Sequence, residues 1–132
     1  MNNESIKKYL GIDWGEARIG LALADSETKI ATPFKAVGDL AAVLKVISEE
    51  GVDMVIVGQP VSLLNHEPQT VNEKYNKFIE DLCEQAGAPV ELVDERLSSK
   101  AADALAGDKK TKASRDEIAA MLILQSYLDR KL

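Results

Sequence analysis

Three acidic residues stand at points where the chain changes conformation. Asp13 closes the apolar run of LGIDWGEARIGLALAD, Glu95 follows the run VELVD, and Asp116 opens the stretch DEIAAMLILQSYLD. Carboxylates that converge repel one another unless cations neutralise them. Hard oxygen ligands suit Mg²⁺ or Mn²⁺. Two such ions about 4 Å apart activate a water and stabilise the leaving oxygen in phosphodiester hydrolysis. The chain has one histidine, His66, in the loop SLLNHEPQT, and one cysteine, Cys83. A dedicated His/Cys zinc site is therefore not expected.

Each acid also has a plainer use. Asp13 could support the turn Trp14–Glu16 that follows it. Asp94 and Glu95 could cap a following helix. Asp116 and Glu117 would both favour the positive end of a helix. Asp116 shares a helix face with Ala119, Ala120 and Ile123. That face is small and apolar, so the helix start can approach a sheet closely, and an acid there needs a partner.

The elements that must position these acids follow from periodicity. Lys8–Trp14, Ala17–Asp25 and Ile30–Val37 are expected strands separated by short turns, hence an antiparallel meander. Pro33 places the third strand at a sheet edge. Asp39 reads as an N-cap, Leu40, Val43, Leu44 and Ile47 recur at helical spacing, and Gly51 stops that helix. Asp53–Gly58 is a short, continuously apolar strand of the kind buried on both faces. After a loop over Gln59–Gln69, Thr70 and Glu73 form a capping-box pattern for a helix that ends at Gly87. Val90–Asp94 reads as another buried strand. A short helix is expected over Ser98–Ala106. The last helix is expected over Ser114–Arg130, with Ser114 and Glu117 as a second capping box.

Strands that alternate with helices pair in parallel. The order βββαβαβαα is that of a ribonuclease H-like α/β fold. Its five-stranded mixed sheet has the order 3-2-1-4-5, with helices on both faces. In that order the strand before Glu95 lies two positions from the strand of Asp13, about 9.6 Å away. A single domain over residues 1–132 is expected from the length.

Composition narrows the partners. With 45% apolar and 29% charged residues, the chain is a globular protein. No apolar run reaches the roughly 18 residues of a membrane span, and the N-terminus lacks a signal-peptide pattern. One cysteine without an internal partner suits a reducing cytoplasm. The net charge of −6 argues globally against nucleic acid, but the charge is uneven. Residues 96–132 carry eight basic residues and five acids, so this segment is +3 and residues 1–95 are −9. Lys109, Lys110, Lys112 and Arg115 are candidate backbone contacts for nucleic acid. The same charges also suit a solvated loop and helix end.

The stretches GIDWGEARIGLALAD, IVGQP, VDERLSSKAADAL and SRDEIAAMLILQSYLD, in this order, resemble one family from Tyr9 to Leu132. It is the YqgF family, also called RuvX, the Holliday junction resolvase-like proteins of the ribonuclease H-like superfamily. The resemblance implies a metal-dependent nuclease that processes the 5′ end of precursor 16S ribosomal RNA or acts on branched DNA. It implies an acidic site of Asp13, Glu95 and Asp116 as catalytic residues and ligands of Mg²⁺ or Mn²⁺. Arg18 and Arg96 match basic positions of the two acidic motifs, where they would contact phosphate or the acids themselves. The loop VSLLNHEPQT lacks the glycine usual in relatives, and Gln59 replaces an apolar residue.

Two other readings compete. One is a catalytically weak module that docks on RNA or protein through the same fold. The other is a phosphate-binding ATPase or sugar-kinase relative, since GIDWGEARIGLAL also resembles a first phosphate loop. That reading requires a second domain and a second phosphate loop.

Overall fold

A computed structural model describes residues 6–59, 69–94 and 115–131. The chain runs β1 (Lys8–Asp13), β2 (Ile19–Asp25), β3 (Thr32–Val37), α1 (Leu40–Glu50), β4 (Met54–Gln59), α2 (Gln69–Gln85), β5 (Val90–Asp94) and α3 (Arg115–Lys131). The strands form one sheet in the order β3-β2-β1-β4-β5. β1 pairs antiparallel with β2, and β2 with β3. β4 lies parallel to both β1 and β5. This is the mixed sheet expected from the sequence. The expected helix over Ser98–Ala106 lies outside the described residues.

Strand alternation separates two cores. Leu10, Ile12, Leu21, Val55 and Val57 face α1 and α2, against Val43, Val46, Ile47, Tyr75, Phe78 and Leu82. Tyr9, Ala22, Ala24, Ile56 and Val93 face α3, against Ala120, Ile123, Leu124, Tyr127 and Leu128. The α3 face of β1 and β2 is built largely from small residues, so α3 lies close to the sheet. A Cβ added at Gly11 would stand 2.7 Å from Leu124 Cβ and 2.8 Å from the Ala120 carbonyl oxygen.

Local chemistry explains most boundaries. Asp39 caps α1 by accepting from the Ala42 N–H at 3.0 Å, and Gly51 ends it in the left-handed region. β2 begins at Ile19 rather than Ala17, because Ala17 and Arg18 belong to the turn. β3 begins at Thr32 rather than Ile30. The turn before it is held by Asp25, which accepts from the N–H groups of Glu27 and Thr28, and Lys29 takes φ 59°. Pro33 sits on the edge strand as expected.

Two expectations need correction. α2 begins at Gln69, so Thr70 is already helical and cannot be the extended N-cap of a capping box. β5 lies at the sheet edge as the expected order places it, but it is not buried throughout: Val93 is 7% exposed and Leu92 40%. VELVD carries Glu91 and Asp94, so it is not the continuously apolar run of a strand buried on both faces.

Candidate functional site

Asp13 is the last residue of β1. By alternation it shares the face of Tyr9 and Gly11, which is the α3 face. Across the ladder it stands opposite Gly20. Beyond Ile12, which pairs with Val57, the next level of β4 is Gly58. Asp13 is therefore a carboxylate flanked on both neighbouring strands by glycines.

The turn after Asp13 is braced from the opposite layer. Trp14 meets Tyr75 edge-on, ring centroids 5.8 Å apart, and Phe78 at 6.4 Å. Lys74 Nζ lies 3.2 Å from Glu16 Oε2. The buried Tyr75 hydroxyl donates to the Gly58 carbonyl at 3.2 Å. α2 thus fixes both the turn that leaves Asp13 and the end of β4 beside it.

Asp116 arrives from α3. A Cβ added at Gly20 would fall on the Asp116 carbonyl and 2.9 Å from Asp116 Cβ. Only glycine lets the helix start rest on β2 at this level. The two acids Asp13 and Asp116 therefore meet the same glycine, one across the ladder and one from above. Arg18 joins them: its Nε and Nη2 donate to Asp116 Oδ2 at 3.0 and 2.8 Å. Asp13 and Asp116 are both partly buried.

Of the expected site residues, the structure brings Asp13, Arg18 and Asp116 into one neighbourhood. Arg115 is exposed at the start of α3, beside Asp116. Glu95, Arg96, Lys109, Lys110 and Lys112 lie outside the described residues, as do His66 and the atypical loop 61–68. Among the described residues, no group of three or more His, Cys, Asp or Glu is gathered as a metal cluster. Sequence reasoning missed Gly20, Tyr75 and Lys74. For Gly20 the signal was present, since an isolated glycine in an apolar strand marks a close backbone approach.

Two groups away from this site have displaced titration. Hydrogen bonding from the Thr28 N–H holds the Asp25 carboxyl below its ordinary value. Burial raises the Tyr127 phenol, whose hydroxyl lies 3.4 Å from Met54 Sδ. Among the described residues, no helix is long and apolar enough to cross a membrane.

Comparison with known proteins adds four findings. A family model described as RuvX, Holliday junction resolvase, matches residues 7–130. A Chloroflexus aggregans protein named "Putative pre-16S rRNA nuclease" is 36% identical, over 99% of this chain and 97% of its own. A Chlamydia caviae protein of the same name is 38% identical, over 96% of this chain and 86% of its own. In three dimensions the chain is similar to T. thermophilus RuvC, solved in complex with a Holliday junction substrate. The TM-score is 0.68 at 18% identity, covering 94% of this chain and 95% of that one. This last likeness concerns the fold, which is ribonuclease H-like.

Proposed function

The chain belongs to the RuvX (YqgF) family, and from that premise we propose that it is a divalent-metal-dependent nuclease acting on precursor 16S rRNA at its 5′ end. The observation that carries this reading is the meeting of Asp13 and Asp116 at Gly20, two carboxylates on rigid elements with one guanidinium between solvent and acid.

The donor set fits a hard cation. Asp13 and Asp116 offer carboxylate oxygens, which suit Mg²⁺ or Mn²⁺. Glu95, two residues after the α3-facing Val93, is the third ligand of this reading. When bound, the cation would supply Lewis acidity and a hydroxide-like water. The protein supplies the rest. Asp13 is held by a strand and a braced turn, so its oxygens stay in place through the reaction. Asp116 is held by a helix packed closely on the sheet. Arg18 and Arg115 bring positive charge to the side of the site where a phosphodiester backbone would lie. Lys109, Lys110 and Lys112 extend that charge along the chain.

The test is cleavage of a precursor 16S fragment, a single-stranded RNA and a four-way DNA junction, side by side, with Mg²⁺, Mn²⁺ or EDTA. Metal-dependent cutting of the precursor fragment is expected. Preference for the junction would move the substrate to branched DNA. Binding with no cutting of any substrate would favour a docking module.

A further inference from the structure

The two partners of the Arg18–Asp116 pair, 98 residues apart in sequence, differ in their freedom to move. Asp116 belongs to a helix whose first turn rests on Gly20, where no side chain could fit. Its main chain is packed directly against β2. Arg18 lies on the turn before β2, and its side chain is 57% exposed against 27% for Asp116. Both guanidinium donors converge on one oxygen, Oδ2. The two-oxygen fork that makes such pairs strongest is not formed. Asp13 stands opposite Gly20, so a second carboxylate lies at the same level. Two acids so placed require positive charge nearby.

Resting on the metal-centre reading above, we propose that Arg18 is an exchangeable positioning residue. It supplies the counter-charge for Asp116 before a divalent cation is taken up, and passes to a substrate phosphate once the cation holds the acid. A guanidinium and a divalent cation on the same oxygen repel each other. The exposed arginine is the partner that leaves, and the anchored aspartate stays. Once released, its planar fork matches phosphate geometry. The exchange couples cation uptake to substrate capture, because the phosphate-binding guanidinium becomes available only after the acid has been neutralised another way.

The experiment is calorimetric titration of Mn²⁺ into the full chain without nucleic acid, for wild type, Arg18→Gln, Arg18→Lys and Asp13→Asn. Melting temperatures and the salt dependence of KM for an RNA fragment complete it. Arg18→Gln is expected to melt lower without Mn²⁺ and to bind Mn²⁺ about two- to fivefold more tightly, as removal of a partly exposed competitor requires. The salt dependence of its KM should weaken by the equivalent of one phosphate, a slope change of about 0.7. Arg18→Lys should lie between wild type and Arg18→Gln in Mn²⁺ affinity and keep the salt slope. A purely structural arginine would lower the melting temperature and leave Mn²⁺ affinity unchanged or weaker, which would overturn the exchange. If Arg18→Gln does not fold, Arg18→Lys decides, and wild-type Mn²⁺ affinity in that variant overturns it. Mn²⁺ binding that is lost in Asp13→Asn but unmoved by Arg18 variants would remove the exchange and keep the metal centre. No Mn²⁺ binding by wild type would remove both.

Discussion

Gly20 and Asp116 occupy adjoining halves of one space: the main chain of Asp116 rests where a Gly20 side chain would be. The start of α3 is thereby set against β2 at the level of Asp13. A residue without chemistry of its own decides where a carboxylate stands.

Gly20→Ala should therefore be costly. The added methyl meets main-chain atoms of a packed helix, which cannot shift as a flexible side chain can. A loss of about 1–3 kcal/mol, the range for overpacking, is the expected minimum. Urea denaturation against Gly38→Ala checks it, because an added Cβ at Gly38 has no heavy atom within 4 Å. Gly38→Ala should stay within about 0.5 kcal/mol of wild type.

Tyr75→Phe tests the brace from α2. It removes the hydroxyl that donates to the Gly58 carbonyl and keeps the ring beside Trp14. A loss of about 0.5–1.5 kcal/mol is expected from one net hydrogen bond. If Gly58 and the turn position Asp13, cleavage should fall further than stability does. Comparing chemical denaturation with single-turnover rate separates the two effects.

The turn at Asp25 gives a pH signature with a definite sign. The Thr28 N–H, with further bonds from the Thr28 hydroxyl and the Glu27 N–H, lowers the folded-state pKa of Asp25. A depressed carboxyl stabilises the fold above its unfolded pKa and loses that contribution as pH falls through the folded value. Asp25→Ala should thus be less stable than wild type at neutral pH. The gap should close on acidification below about pH 4. A gap that stays constant to pH 2 would show that the carboxylate charge contributes nothing.

Arg115 and the lysines that precede it in sequence make a separate prediction. Neutralising Lys109, Lys110, Lys112 and Arg115 together should weaken RNA binding. The salt slope should fall by about 0.7 for each phosphate that these side chains no longer neutralise. Filter binding across a range of salt concentrations, in EDTA, measures both. An unchanged slope would remove these side chains from the interface.

Much of this arrangement was legible in the sequence because it is local. Asp39 and Gly51 bound α1 as their chemistry requires, the three-stranded meander follows from short turns, and Pro33 lies on the edge strand. The family motifs pointed to Asp13, Arg18 and Asp116 before any geometry was available. What escaped was set by non-local packing. Leu92 reads as core in a strand expected at the sheet edge, yet it is 40% exposed. Thr70 reads as a cap but is helical, because the chain enters α2 two residues earlier. Arg18 read equally as a phosphate ligand or as an ion-pair partner, and only the packing of α3 on Gly20 brings Asp116 to it.

The central claim is that Asp13, fixed at the end of β1, is a ligand of the hydrolytic cation. The most direct measurement is cleavage of a precursor 16S fragment with Mg²⁺ or Mn²⁺ by wild type and Asp13→Asn, with melting curves to show that both are folded. The account predicts metal-dependent cutting by wild type and a loss of at least about a hundredfold, roughly 2.7 kcal/mol of transition-state stabilisation, in the variant. Undiminished metal-dependent cleavage by folded Asp13→Asn would contradict it.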